Sequence, residues 1–359
     1  MIPKKFKLLK KQVDSLKFFI ALLLTSLILA GCSASKNYFY VTPYALRTPE
    51  NKAKFYDEYS RFISGKKFFL DPGHGGEDRR NKGYEGLAVE ADLNLHVALA
   101  LKNFLTEAGA EVIMSRESDT TVLLKDRSKL ANNSGADLFI SIHHNAPGIS
   151  GDYSTDFTST FYHANKGDYE YEPCNHDIAK YIQRDLAYAM RNSGGLGSFD
   201  GTYSDYDIYP GMGFSVLRLT KLPAVLVECS FNTSYFEAKR LVLKQFNQIE
   251  AWGIFQGLCK YFSEGVPQIV SLTQDSTFNH GNINLSFQLI DSTGIDSESV
   301  AVNLDTNLVS GNSLTIQSGI LNINLQDVKS GEHIIRVVVA NKNGNHSFPF
   351  YKKINVITE

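Results

Sequence analysis

Several features that mark specialised protein classes are scarce in this 359-residue chain. There are four cysteines and no Cys-x-x-Cys pair, so neither a disulfide framework nor a thiolate zinc site is indicated. No internal repeat or low-complexity tract interrupts it, and 43% apolar with 21% charged residues is too balanced for a disordered or fibrous chain. Long hydrophobic runs are missing as well. The run from Phe18 to Ala30 is broken by Thr25 and Ser26 and is too short for a comfortable bilayer span. Basic charge is also in short supply. Residues 1–31 hold six lysines against one acid, so with the whole chain at −2 the other 328 residues carry −7. That balance argues against nucleic acid as a partner, whose footprint is a basic patch. What is left is length enough for about two globular domains with real cores.

The basic stretch before Phe18–Ala30 gives residues 1–31 the form of a secretory signal. It ends in Leu29-Ala30-Gly31-Cys32, which resembles the bacterial lipobox, in which small residues precede a cysteine that is diacylated and becomes the new N-terminus. The resemblance implies an exported protein held on the cell envelope through lipidated Cys32, at the outer membrane or periplasmic face. Two acyl chains anchor far more firmly than one. An ordinary cleaved signal or an anchor helix is the alternative. Residues 32–66 read as a tether with a short helix near Asn51 to Ile63. Lipidation of Cys32 leaves Cys174, Cys229 and Cys259, and the apolar surroundings of the last two suit small buried side chains.

From residue 67 to 265 short apolar runs alternate with amphipathic segments, the pattern of an α/β domain with a sheet flanked by helices on both faces. Strands are expected at Phe68-Phe69-Leu70, Glu111–Met114, Leu138–Ile142, Phe214–Leu219 and Ala224–Val227. Leu93, Val97, Leu101, Phe104 and Leu105 recur at helical spacing, and further helices are expected at Leu123–Asn133, Asp177–Arg191, Tyr235–Phe246 and Ile249–Phe262. Past Pro267 helical periodicity disappears. Residues 268–359 show short strand-like runs, such as Asn284–Ile290 and His333–Ala340, between turn signals, which suggests a small all-β, Ig-like sandwich.

The chemistry lies where apolar strands end. Phe68-Phe69-Leu70 runs into Asp71-Pro72-Gly73-His74-Gly75-Gly76, Leu138–Ile142 into His143-His144-Asn145, and Ala224–Val227 into Glu228. In open α/β sheets functional groups gather at the carboxyl ends of strands, so these runs predict one convergent site. Glu90 begins the helix after the glycine loop, which can fold it back toward His74. Two imidazoles and a carboxylate, with a fourth position left to water, are the ligand set of a catalytic zinc site. Hydrolysis there also needs a group to take and return a proton, and Glu228 is a second carboxylate at a strand end. Each residue also has a structural reading: strand-end histidines are often hydrogen-bonded supports, and Glu90 suits the first turn of a helix.

Four stretches, Phe69–Gly76, Val89-Glu90-Ala91-Asp92-Leu93-Asn94-Leu95, Ser141–Ala146 and Pro223–Glu228, resemble the zinc-dependent N-acetylmuramoyl-L-alanine amidases of the Amidase_3 type. Ser115-Arg116 before Asp119, and Asp126-Arg127, fit as well, and the resemblance covers about residues 67–263. It implies that His74, Glu90 and His143 bind one zinc ion and that Glu228 is the general base and acid. The reaction implied is hydrolysis of the amide between the lactyl group of N-acetylmuramic acid and L-alanine of the stem peptide, with peptidoglycan as partner. Asn145 would orient the site. His144 is the alternative ligand, but successive strand residues point to opposite faces, which favours His143.

The sequence departs from the family after the glutamate, where Ser230 and Ser234 stand in place of the usual glycine and asparagine. The segment Gly148–Asn175 is long, and nine of the chain's eighteen tyrosines fall between Tyr153 and Tyr209. This segment reads as a solvated surface loop, a substrate wall, or a lid that a protein activator moves. Two other functions remain open at this level: an exported zinc peptidase or deacetylase, and a catalytically silent wall-binding lipoprotein.

Overall fold

Near-continuous apolar runs mark strands covered on both faces, and three such runs form the centre of a six-stranded sheet. The computed structural model describes residues 40–148, 151–164, 172–194, 200–279, 281–309 and 311–357; the expected signal and lipobox lie outside them. The strands are β1 (Lys67–Pro72), β2 (Glu111–Met114), β3 (Leu138–Asn145), β4 (Ser159–Tyr162), β5 (Thr202–Ser204) and β6 (Ala224–Phe231), in the spatial order β2-β1-β3-β6-β4-β5. The first four in that order run parallel, and β4 pairs antiparallel with β6.

Seven helices flank the sheet among the described residues: α1 (Pro49–Ile63), α2 (Glu90–Glu107), α3 (Leu124–Asn132), α4 (Pro173–Met190), α5 (Ser215–Arg218), α6 (Tyr235–Leu241) and α7 (Lys244–Ser263). On one face Ala131 of α3 and Val216 and Leu217 of α5 pack with Phe69, Phe139, Phe161 and Leu226. The opposite face is covered by α2, α4 and α7, with Phe68 edge-on to Phe262. Two glycines let α7 approach α4. A Cβ at Gly253 would lie 2.6 Å from Leu186 Cα, and one at Gly257 would lie 2.6 Å from Tyr181 O.

Three segments differ from the sequence reading. Phe214–Leu219, expected as a strand, contains the single helical turn α5. Buried Asp205 accepts a hydrogen bond from Phe214 N at 2.8 Å and fixes the entry to that turn, which buries Val216 and Leu217 as a strand would have done. The short helix expected near Asn51 to Ile63 is present as α1, and the difference lies in its packing: Thr48 caps it and its Phe55 ring lies 4.8 Å from that of Trp252 on α7. Ordered packing therefore begins before residue 67. The long segment 148–175 contributes β4, in which Ser159 is paired with Glu228, so its centre belongs to the sheet and not to a lid. Its residues 149–150 and 165–171 lie outside the described set.

Beyond Gly265, nine described strands form a five-stranded and a four-stranded sheet around Leu285, Phe287, Val337 and Ile354. This sandwich is tied to the helical layer: Asn345 Nδ2 donates to Tyr261 O at 3.0 Å, and His346 N donates to Asp177 Oδ2 at 2.8 Å. Among the described residues no helix is long and apolar enough to cross a membrane.

Gly257→Val forces α7 away from α4, and overpacking of this kind costs about 1–3 kcal/mol. Thermal melting should show a lowered Tm, and an unchanged Tm would mean that the helices separate without cost.

Candidate active site

Parallel register places the strand ends side by side. Asp71 of β1 is paired with Ser141 of β3, and His143 of β3 with Glu228 of β6. Paired residues share a face, so His143 and Glu228 project together while His144 and Cys229 project to the α7 side. His74 follows two residues after β1, and Glu90 opens α2 at the same edge.

Glu90 is 4% exposed, yet it is surrounded by donors. Its Oε1 lies 3.2 Å from His74 Nε2 and 3.0 Å from His143 Nδ1, and it accepts from His144 N at 3.2 Å. Oε2 accepts from Asn81 Nδ2 at 2.8 Å. The two imidazole rings stand 5.1 Å apart and nearly perpendicular. His74 turns its other nitrogen, Nδ1, to Asp78 Oδ2 at 2.8 Å. Neither nitrogen of His144 faces this cluster: Nδ1 lies 2.8 Å from Asn94 Oδ1 and Nε2 lies 2.9 Å from Glu250 Oε1.

The glycine loop is held in an uncommon shape. His74 has φ of 58°, in the left-handed region disfavoured for side chains with a Cβ, and it is followed by Gly75 and Gly76 at 118° and 61°. Two buried arginines restrain it. Arg116 donates to Pro72 O, Gly73 O and Ala91 O, and Arg127 donates to Pro72 O and His74 O while pairing with Asp71 at 2.7 Å. Residue 73 must be glycine for a separate reason: a Cβ there would lie 2.1 Å from Cε1 of His143.

The charges are interdependent. Burial opposes ionisation of Glu90, but the hydrogen bonds and positive charge of His143 and His74 hold its carboxyl well below the usual range. Burial likewise opposes charge on His74, but its hydrogen bonds to Glu90 and Asp78, with their charges, raise it to about 9. Glu228 is pushed well above the carboxylate range, first by burial and then by the charge of Glu90. Its Oε2 is buried and has no hydrogen-bond partner among the described residues. That orphaned acceptor points to a proton or a polar ligand at this position.

The donor set fits a first-row dication. One atom each from His74, Glu90 and His143 lie within 4.8 Å of one another, two nitrogens and one oxygen of the kind zinc takes in open catalytic sites. Asp78 on the far nitrogen of His74 is the usual carboxylate partner of a metal-ligating imidazole. A dication there would offset the Glu90 charge and leave burial as the main influence on Glu228.

Sequence reasoning missed the amides around this cluster. Asn232 donates to Asn81 Oδ1 at 3.1 Å and to Ala88 O at 2.9 Å, so Asn81 is braced while it holds Glu90. Asn145, expected to orient the site, caps its own strand end: its Oδ1 accepts from Ala146 N and its carbonyl from Asn232 N. Ser230 Oγ lies 2.5 Å from Glu237 Oε2 and 3.0 Å from Asp156 Oδ1, which accounts for a polar residue at that departure. Tyr153, from the tyrosine-rich segment, stands edge-on to Tyr84, whose N donates to Asn232 O.

Residues 68–260 match the family model described as N-acetylmuramoyl-L-alanine amidase. The chain is 34% identical over 216 residues to the germination-specific N-acetylmuramoyl-L-alanine amidase of Bacillus subtilis strain 168, covering 56% of this chain and 82% of that relative. It is 35% identical over 200 residues to the sporulation-specific N-acetylmuramoyl-L-alanine amidase of the same strain, covering 55% and 68%. Among solved structures, an N-acetylmuramoyl-L-alanine amidase from Clostridium difficile 630 aligns at 32% identity and a TM-score of 0.47, covering 55% of this chain and 97% of that one.

The raised His74 predicts a pH effect on the metal-free protein. The stability it contributes is fully present below about 6.5, its unfolded value, and is lost as pH rises through about 9. Glu228, also raised, acts in the same direction. Thermal melts in chelator should show Tm falling across that window, and less so for His74→Gln; a flat profile would contradict the assignment.

Proposed function

The chain belongs to the N-acetylmuramoyl-L-alanine amidase family, whose members hydrolyse cell-wall amide bonds, and from that premise we propose how this site does so. His74 through Nε2, Glu90 through Oε1 and His143 through Nδ1 would hold a zinc ion. When bound, zinc supplies Lewis acidity, bringing the pKa of water to about 7 and polarising a carbonyl. Glu228 takes the proton of the attacking water and returns it to the leaving nitrogen of L-alanine as the bond to the lactyl carbonyl breaks. The observation that carries this reading is the buried, unpartnered Oε2 of Glu228, whose strand neighbour is His143. The rigid loop from Gly73 to Gly76 keeps His74 oriented without reorganisation during the reaction.

The substrate is the peptidoglycan amide between N-acetylmuramic acid and L-alanine, which places the activity outside the cytoplasm. Tyr153 and Tyr235, both exposed and edge-on to Tyr84, would form part of the wall that the substrate meets. We assign the catalytic module to residues 67–265, the β-sandwich module to 268–359, and the envelope anchor to lipidated Cys32. A protein activator remains a candidate partner.

Glu228→Gln should lower release of stem peptides from purified peptidoglycan by about 10²–10⁴-fold while zinc content stays at one per chain. Mass spectrometry of the digest checks this, and near-normal release of peptides beginning with L-alanine would remove Glu228 as the base. Cys32→Ala should move the protein from the membrane to the soluble fraction; continued retention would show that another feature anchors it.

A further inference from the structure

Behind the proposed zinc ligands, on the α7 side of the sheet, lies a second cluster that the mechanism does not use. His144 and Glu250 have side chains at 0% exposure, and Asn94 is equally buried. Glu250 Oε1 lies 2.9 Å from His144 Nε2, and His144 Nδ1 lies 2.8 Å from Asn94 Oδ1. Asn94 sits one turn after Glu90 on the same face of α2, and its Nδ2 donates to Glu90 Oε1 at 3.3 Å and to Gly73 O at 3.2 Å. The far end is fixed as well, since Asn247 Nδ2 donates to Glu250 Oε2 at 2.9 Å.

These bonds have a direction. Both partners of Asn94 Nδ2 are acceptors, so the amide must present its NH2 to Glu90 and Gly73 and its oxygen to His144. His144 Nδ1 must then carry hydrogen, and the contact with Glu250 holds the ring in place through Nε2. A reversed amide would set its oxygen against Glu90 Oε1 and Gly73 O, three acceptors together with nothing to share. We propose that Glu250 and His144 are positioning residues: they fix the Asn94 amide, which in turn aims the Glu90 carboxylate at the zinc site and ties down the Gly73 carbonyl next to His74. This inference rests on the reading of His74, Glu90 and His143 as the metal ligands.

His144, Cys229 and Glu250 also have donor atoms within 4.8 Å of one another, which is close enough to hold a metal ion. Both nitrogens of His144 are already engaged and the pocket is closed to solvent, so the hydrogen-bonded arrangement is the one the structure favours. A second bound metal is one outcome of the test.

The test measures zinc affinity of the full chain by chelator competition, which does not depend on activity. His144→Leu and Glu250→Leu should weaken zinc binding by about 10–100-fold, the usual range for outer partners of a metal ligand. Glu250→Gln keeps a group that hydrogen-bonds to Nε2 and should bind zinc close to the wild-type value. In an Asn94→Ala background, Glu250→Leu should have no further effect on affinity, because the joint through which it acts is gone. A purely structural role would lower Tm without this dependence on Asn94. Unchanged affinity in the leucine variants, an equal loss in Glu250→Gln, or two zinc ions per wild-type chain would each overturn the proposal. Where a leucine variant does not fold, nitrogen-edited NMR of the metal-free wild type decides: His144 Nδ1 bearing hydrogen supports the relay, and a bare Nδ1 overturns it. A wild-type chain that binds no zinc would instead contradict the reading of the ligands themselves.

Discussion

The interaction on which the site depends is the burial of one carboxylate, that of Glu90. An isolated carboxylate taken out of water is strongly destabilised unless donors replace its hydration. Here His74, His143, Asn81, Asn94 and the His144 backbone all converge on it, and its place at the start of α2 adds the favourable end of the helix dipole. Its negative charge, together with Asp78, raises His74, and it adds to burial in raising Glu228. In the metal-free protein His74 and Glu228 are therefore biased toward their protonated forms while Glu90 stays ionised, so binding of a dication at this cluster would be linked to proton release.

The sheet provides the rigidity this arrangement needs. Parallel register fixes His143 beside Glu228, and the buried arginines fix the loop that carries His74. Arg116 is itself lowered to about 10 by burial and by the neighbouring charge of Arg127, a sign of how closely two cations are packed to hold one loop. They are tolerated because carbonyl oxygens and Asp71 accept from them. Since burial, charge and backbone strain meet within a few residues, substitutions between Asp71 and Gly76 should affect metal binding and folding together.

Much of this was legible in the sequence because chemistry-bearing residues follow directly on apolar runs. His74 follows β1, Glu90 opens α2, and His143 and Glu228 lie in the C-terminal halves of β3 and β6, directly after apolar runs, and the pleat separates His143 from His144 without further information. The amides were not legible. Asn81 and Asn232 lie in loops with no periodicity, and their pairing joins positions 151 residues apart. Strand β4 was also hidden, since its antiparallel place beside β6 depends on tertiary pairing and not on the local pattern. Ser215–Arg218 shows the converse limit: burial of Val216 and Leu217 was readable, but the turn set by Asp205 was not.

The chemistry proposed for this site requires that His74, Glu90 and His143 form one metal centre with Glu228 beside it. Anomalous diffraction at the zinc edge from crystals of the zinc-loaded protein tests it most directly. A single strong peak is expected about 2.0–2.2 Å from His74 Nε2, Glu90 Oε1 and His143 Nδ1. A peak among His144, Cys229 and Glu250, or none near these ligands in protein that has taken up zinc, would contradict it.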